Sequence, residues 1–101
     1  MNAAIQVGPR AEKDFRRLDA ATRTRVRSVL TQKLTVTPLP RNLDVEPLAG
    51  LSPWLRIRVG EFGIVCRPLT AVELRGAGSH QGWFVARIID RRDVPRSLKG
   101  L

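Results

Sequence analysis

The chain has 101 residues, of which 43% are hydrophobic and 27% are charged. This length fits one domain, residues 1–101, with a core of its own, and the balance of residues excludes an intrinsically disordered chain. Eighteen lysines and arginines against nine acidic residues give a net charge of +9. Such a charge favours a polyanion or an acidic protein as the partner.

The first third of the chain predicts a short strand and two helices. Residues 3–7 form the strand, and Gly8-Pro9 ends it, because proline suits the first turn of a helix. We expect a helical hairpin from about residue 10 to 36, with one face toward the core and Asp19 as the cap of its second helix. Apolar side chains recur at helical spacing in both segments: Ala11, Phe15 and Leu18, then Val26, Val29, Leu30 and Leu34.

The remainder predicts strands. Residues 37–53 are rich in proline and are expected to form an irregular loop. Residues 54–59 alternate as a strand, with Trp54, Arg56 and Arg58 on one face and apolar side chains on the other. After a turn at residues 60–61, a second strand covers 62–69 and in one interpretation continues through 72–74. A glycine-rich loop at 76–82 then leads to the last strand, 83–90, and a basic end at 91–101.

Helices therefore come first and a run of strands follows. This order favours an α+β fold with a largely antiparallel sheet. We expect an N-terminal strand, a helical hairpin packed on a sheet of about four strands, and a short C-terminal tail or helix.

Three segments of the chain match known motifs, in order along nearly its whole length. They are residues 11–18 (AEKDFRRL), residues 47–62 (PLAGLSPWLRIRVGEF) and residues 89–96 (IDRRDVPR). The first resembles the opening helix of the RelE/ParE toxin superfamily, the second its loop and basic hairpin, and the third its closing basic motif. The resemblance implies a RelE-like fold.

The resemblance also implies a function. Members of this superfamily are toxins of type II toxin–antitoxin pairs, held inactive by a cognate antitoxin, which the charge of this chain predicts to be acidic. RelE-like members cleave mRNA at the ribosome, and ParE-like members inhibit DNA gyrase. We expect an mRNA interferase, an endoribonuclease that inhibits translation. The alternatives are a gyrase inhibitor and a catalytically degenerate module that only binds nucleic acid.

Arginines of the matching strands form the predicted phosphate site. Cleavage through the RNA 2′-hydroxyl needs cations beside the pentavalent phosphate, and Arg56, Arg58 and Arg91 are the catalytic candidates for that role. Arg92 and Arg96 extend the phosphate-binding set. If their strands are neighbours, the first three could converge on one phosphate. The alternative explanation of Arg56 and Arg58 is an ordinary solvated strand face, and the family resemblance favours the phosphate site.

The sequence departs from the nuclease pattern at two positions. Gly63 stands where the family has an arginine, and Pro95 stands where it has a tyrosine. Arginine keeps its proton and is a poor base, which leaves Glu61, Asp90 and His80 to transfer protons. A turn residue, an arginine partner and a surface histidine are the simpler interpretations of these three. The sequence therefore supports phosphate binding better than chemistry on the phosphate.

No cofactor or metal is predicted. Cys66, the only cysteine, excludes an internal disulfide and is interpreted as a core residue, and no Cys/His cluster offers a zinc site. Trp54 and Trp83 flank the basic strands and either stack on a base or pack on the core or an antitoxin. No apolar run approaches the roughly 20 residues of a membrane span, and no signal peptide is recognised, so we expect a cytoplasmic protein without a membrane partner.

Overall fold

A computed structural model of the chain describes residues 3–36 and 38–97, except for the side chains of residues 96 and 97. Its helices are α1 (Pro9–Arg17), α2 (Ala20–Ser28), which continues as a π-helix over Val29–Lys33, α3 (Ala71–Ala77) and α4 (Val94–Ser97), with a 3-10 turn at Arg91–Asp93. Its strands are β1 (Ala4–Val7), β2 (Val45–Pro47), β3 (Leu55–Val59), β4 (Phe62–Pro68) and β5 (Gly82–Asp90). Among these described residues, no helix is long and apolar enough to span a membrane.

The five strands form one mixed sheet in the order β1-β5-β4-β3-β2. β1 runs parallel to β5, and the other neighbouring pairs are antiparallel. The α+β class, the N-terminal strand and the largely antiparallel sheet are confirmed, with five strands in place of about four. The core lies between the helical hairpin and one face of the sheet. The hairpin contributes Val26, Val29 and Leu34 to it, and the sheet contributes Ile57, Ile64 and Ile88.

The hairpin forms where its sequence predicts it. Pro9 opens α1, and the Asp19 carboxylate caps α2 by accepting the backbone N–H of Thr22 at 3.1 Å. Gly8 is required by a close approach, because a Cβ at this position would lie 2.8 Å from Cζ of Phe84. The chain can therefore leave β1 tightly against β5 and enter α1 directly.

Helix α1 is bound to β5 through a buried carboxylate. Asp14 accepts hydrogen bonds from Nε and Nη2 of Arg87 at 2.7 and 3.1 Å, and from the backbone N–H of Ile88 at 3.0 Å. The Asp14 side chain is only 9% exposed and that of Arg87 18%. The pairing of β1 with β5 stops at Val7 and Val85. Asp14 therefore supplies a hydrogen-bond acceptor to the part of β5 that lies beyond the end of β1.

A bulge in β5 directs its side chains. The register with β4 shifts between Val65, which pairs with Arg87, and Cys66, which pairs with Val85, so that Ala86 is the extra residue. Residues three apart on a regular strand point to opposite faces. Because of the bulge, Val85 and Ile88 both enter the core.

Two predictions for the second half of the chain are wrong. Residues 37–53 are not wholly irregular, because β2 pairs with β3 at the edge of the sheet, and an edge strand tolerates Pro47. Residues 72–74 do not extend a strand, because they lie within α3. Thr70 accepts the backbone N–H of Glu73 while the Glu73 carboxylate accepts that of Thr70, and this capping box starts the helix.

Glu73 also binds α3 to β4. Its carboxylate accepts hydrogen bonds from Nη1 and Nη2 of Arg67 at 2.7 and 3.1 Å. The Arg67 guanidinium, followed by the Thr70 backbone N–H, lowers the pKa of the Glu73 carboxyl from 4.5 to about 2. The ionised form is therefore the one that the folded protein stabilises.

We expect Asp14→Asn to lower the free energy of unfolding by about 3 kcal/mol. The reason is that the Arg87 guanidinium, which is largely buried, would lose its carboxylate partner. Urea unfolding at pH 7 measures the change. The matched control is Glu12→Gln on the same helix, whose partner Arg16 is exposed and 3.8 Å away, and which should cost less than about 0.5 kcal/mol. Equal losses in the two variants would contradict the anchoring role of Asp14.

We expect Glu73→Gln to lower the melting temperature at pH 7, with a difference from wild type that shrinks as the pH falls. A carboxyl whose folded pKa is depressed stabilises the fold fully above its unfolded pKa of 4.5, and this contribution is lost as the pH falls through about 2. The glutamine oxygen can still accept the Thr70 N–H, so the variant keeps this part of the capping box and removes the charge and one hydrogen bond to Arg67. Melting curves between pH 7 and 2 test this, and a constant difference would disprove it.

Candidate nucleic-acid interface

Arg56 lies on the sheet face that points away from the helical hairpin. It alternates with Leu55 and Ile57, which face the core. Its guanidinium pairs with the carboxylate of Glu46 on the neighbouring strand β2. The Arg56 side chain is 29% exposed and that of Glu46 61%. The guanidinium is thus held in place but partly neutralised.

Gly63 explains how the stem of Arg56 is packed. A Cβ at Gly63 would lie 3.1 Å from Cγ2 of Val94 and 3.3 Å from Cγ of Arg56. Val94 is 1% exposed and belongs to α4, which therefore packs on this outer face of the sheet. The space that an arginine side chain at position 63 would enter is occupied by these two side chains. Gly63 thus leaves room for Val94 and the stem of Arg56 on this face of the sheet.

Arg91 is held at the turn between β3 and β4. Its backbone N–H donates to the carbonyl oxygen of Glu61 at 2.9 Å, and its Nε lies 3.5 Å from Oε2 of the same residue. Glu61 is thus both the turn residue that the sequence predicts and the partner of a predicted site arginine. This ion pair is exposed, so water or a phosphate can compete for the guanidinium.

Arg92 pairs with the residue that ends β5. Its Nε and Nη2 donate to the two carboxylate oxygens of Asp90 at 3.0 and 3.1 Å, and its backbone N–H donates to Oδ1 at 2.9 Å. These bonds from Arg92, the side-chain bond first, lower the pKa of the Asp90 carboxyl. Asp90 is therefore unsuited to give up a proton near neutrality. The side chain of Arg96, the last predicted site residue, lies outside the described part of the chain.

The sheet order separates the predicted arginines. Arg56 and Arg58 lie on β3 and Arg91 follows β5, but β4 runs between these strands. Two strand spacings amount to about 10 Å. The condition for convergence, that the strands be neighbours, is not met. Arg56 and Arg58 lie on one face of β3, and Arg91 follows the end of β5, so these are separate cations, two of which carry a carboxylate partner.

Arg58 differs from the other predicted arginines. Among the described residues it forms no ion pair, whereas Arg56, Arg91 and Arg92 each have one. It lines a cleft of about 440 Å³ together with Arg25 and Lys33 of the hairpin. Neither of those cations is ion-paired within the described residues. Arg25 and Lys33 are absent from the predicted site, although α2 and its π-helical extension contain four cations and no acidic residue.

The remaining candidates for proton transfer lie in unsuitable places. His80 is exposed and precedes β5, whereas Arg91 follows it. At the usual rise of a strand, the nine residues of β5 separate them by about 30 Å. Glu46 and Glu61 are the carboxylates nearest the sheet arginines, and each is ion-paired with one of them. The arrangement can hold phosphate groups, and its acid–base capacity rests on these two glutamates.

The two tryptophans have different surroundings. Trp83 is partly buried and packs against the core. Trp54 lines a cleft of about 280 Å³, in which the Arg67 guanidinium carbon lies 5.7 Å from the Trp54 ring centre and 4.7 Å from that of Phe84. Because Arg67 also bonds Glu73, this aromatic cluster anchors α3 to the outer face.

A separate apolar groove lies beside the helical hairpin. It has a volume of about 690 Å³ and lies between β1 and the hairpin, with Ile5, Val7, Phe15 and Leu30 among its lining residues. Arg16, Arg27 and Glu12 line it as well, and Glu12 lies 3.8 Å from Arg16. Val7 is 37% exposed. The groove thus combines an apolar floor with positive charge.

Cys66 and the acidic residues offer no metal chemistry in the described residues. Cys66 is fully buried in the core, which confirms its interpretation as a core residue, and burial raises the pKa of its thiol to about 12. The thiol is therefore unreactive at neutral pH. Residues 3–36 and 38–97 contain no group of three or more histidine, cysteine, aspartate or glutamate side chains that could hold a metal ion.

Comparison with known proteins identifies the fold. No family model matches the sequence, and no curated protein matches it. A chain of the RelB-RelE antitoxin–toxin complex of Methanococcus jannaschii is 17% identical with a TM-score of 0.69, over 92% of this chain and 98% of that one. A chain of the RelBE2 toxin–antitoxin complex of Mycobacterium tuberculosis is 17% identical with a TM-score of 0.68, over 90% and 100%. The chain has a RelE-like fold.

We expect Gly63→Ala and Val94→Ala to be energetically coupled. The added Cβ crowds Val94 at 3.1 Å, and removing the Val94 methyl groups relieves that crowding. The double variant should therefore be more stable than the sum of the single changes predicts, by at least about 0.5 kcal/mol. Urea unfolding of the four proteins measures the coupling. Additive changes would show that α4 does not pack over Gly63 as described.

Proposed function

We propose that this chain is the toxin of a type II toxin–antitoxin pair and that it acts as an mRNA interferase. The observation that carries the proposal is the likeness of nearly the whole chain to chains of two complexes that are described as toxin–antitoxin complexes. The motifs at residues 11–18, 47–62 and 89–96 support it from the sequence. The net charge of +9 suits both a nucleic-acid target and an acidic inhibitor.

The antitoxin is proposed to occupy the apolar groove beside β1. An amphipathic segment could bury its apolar side against Ile5, Phe15 and Leu30. Acidic residues flanking that segment would meet Arg16 and Arg27 at the same groove. The free edge of β1, which is the outermost strand of the sheet, would also accept an added strand.

The proposed chemistry uses the outer face of the sheet. Arg56 or Arg91, whichever lies at the scissile phosphate, would stabilise the negative charge that develops there during attack by the 2′-hydroxyl, and the other would bind a neighbouring phosphate of the RNA backbone. Glu46 or Glu61, their present partners, would accept the hydroxyl proton as the 2′-oxygen bonds to phosphorus. The bond from phosphorus to the 5′-oxygen then breaks, this oxygen takes a proton from water, and a 2′,3′-cyclic phosphate remains. Arrival of a phosphate would give each arginine a new anionic partner and free the paired carboxylate to accept the hydroxyl proton.

A second candidate function is inhibition of DNA gyrase. It is favoured by the surroundings of the sheet arginines, where Asp90 is held ionised and the only histidine is about 30 Å away. Gly63 and Pro95 replace the arginine and tyrosine of the nuclease pattern. A toxin that works by binding alone needs none of these groups.

We expect induction of the chain alone to arrest bacterial growth and co-expression with a cognate antitoxin to restore it. Arg56→Gln/Arg91→Gln should reduce mRNA cleavage by about 100-fold or more, because it removes the cation beside the developing charge together with a second phosphate contact. Glutamine at position 56 keeps part of the stem over Gly63. The control is Lys13→Gln/Arg75→Gln, which removes the same charge from exposed positions on α1 and α3.

Mapping of transcript ends during induction measures the cleavage, and a supercoiling assay with purified gyrase tests the second candidate. Arrest with intact transcripts and inhibited supercoiling would reject the interferase in favour of the gyrase inhibitor. Unimpaired growth on induction would reject both and leave a module that only binds nucleic acid.

A further inference from the structure

The second helix of the hairpin carries much of the unneutralised charge. α2 and its π-helical extension contain Arg23, Arg25, Arg27 and Lys33 and no acidic residue. None of these four forms an ion pair within residues 3–36 and 38–97. The arginines of the sheet, by contrast, are largely paired, as Arg56, Arg67 and Arg87 are. Charge that is free to meet a new anion therefore concentrates on the hairpin.

Three unpaired cations meet at one cleft. Arg25 and Lys33 approach it from the hairpin and Arg58 from β3, around a volume of about 440 Å³ that lies in the size range of ligand sites. Asp44 is the one acidic residue among its lining residues. The cleft also contains Val29, Leu43 and Val59, which are buried. An apolar floor beneath charges of one sign concentrates their field in the cleft.

The backbone turn beside the cleft accommodates Arg25. Gly60 has a φ of +58°, and a Cβ there would lie 2.7 Å from Nη1 of Arg25. Glycine at this turn thus allows the guanidinium to lie directly against the backbone between β3 and β4. The guanidinium is placed by this packing and not by a carboxylate, so its donors remain available to a ligand.

We propose that the Arg25–Lys33–Arg58 cleft binds phosphate groups of a single-stranded RNA backbone, at a site separate from Arg56 and Arg91. The assignment rests on the proposed action on RNA. Arg58 connects the cleft to the outer sheet face, because it lies two residues, about 7 Å, from Arg56 on the same strand. An RNA strand bound at Arg56 can therefore continue past Arg58 into the cleft. A free phosphate ion would bind in the cleft without contacting Arg56.

The test is equilibrium binding of a 12-nucleotide single-stranded RNA to the full chain. Arg25→Gln/Lys33→Gln should weaken RNA binding by about tenfold or more near 0.1 M salt. The negative slope of log K against log salt should become shallower by about 0.7 for each phosphate that the protein no longer neutralises. Lys13→Gln/Arg75→Gln, which removes the same charge away from the cleft, should weaken it by less than about threefold, since such distances are screened. Melting curves establish that all variants are folded.

Equal weakening by the two double variants would show that the charge acts diffusely and would overturn the proposal. Unchanged RNA affinity together with cleft-dependent binding of inorganic phosphate would assign the cleft to the free ion and overturn it as well. Unchanged RNA affinity with weakened binding of the antitoxin would assign the cleft to the protein partner, and this result would also overturn the RNA assignment.

The cleft and the proposed toxin function can fail independently. Growth arrest by a protein whose RNA affinity does not depend on Arg25 and Lys33 would overturn the cleft alone. Cleft-dependent RNA binding by a protein that does not arrest growth would support the cleft and overturn the toxin function.

Discussion

The Asp14 carboxylate connects the hairpin to the sheet where regular strand pairing has ended. β1 stops at Val7, and the next stretch of β5 would present an unpaired backbone N–H at Ile88 if α1 did not supply an acceptor. An unsatisfied N–H in this position costs free energy, and so does an unpaired buried guanidinium at Arg87. One side chain meets both needs. It thereby determines where the hairpin, with its apolar groove and its basic cleft, lies relative to the sheet.

The distribution of acidic residues decides which of the many arginines can bind a new anion. Glu46, Glu61, Glu73 and Asp90 all neutralise arginines of the sheet or of its end. Helix α2 has no acidic residue, so its cations stay free. A high count of arginines therefore indicates a polyanionic partner but does not locate its site. The location depends on ion pairs between residues far apart in the chain, as between positions 46 and 56.

Several elements that the sequence predicts correctly depend on local signals. The alternation around Ile57, the cap at Asp19 and the helix start at Pro9 each depend on a few consecutive residues. The start of α3 also has a local signal, Thr70 followed three residues later by Glu73, but the apolar residues beyond it equally suit a strand. The position of β4 between β3 and β5 depends on long-range pairing. Consecutive antiparallel strands have this same order, so the separation of Arg56 and Arg58 from Arg91 agrees with the antiparallel sheet that the sequence predicts, whereas their carboxylate partners have no local signal.

Helix α2 presents different surfaces to the groove and to the cleft. Arg27 lines the apolar groove and Arg25 lines the basic cleft, and residues two apart on a helix lie about 200° apart around its axis. A segment that fills the groove therefore leaves the cleft open. Inhibition of the proposed RNA contact then requires an antitoxin long enough to cross α2, or one that carries enough negative charge to repel the RNA backbone from the groove side.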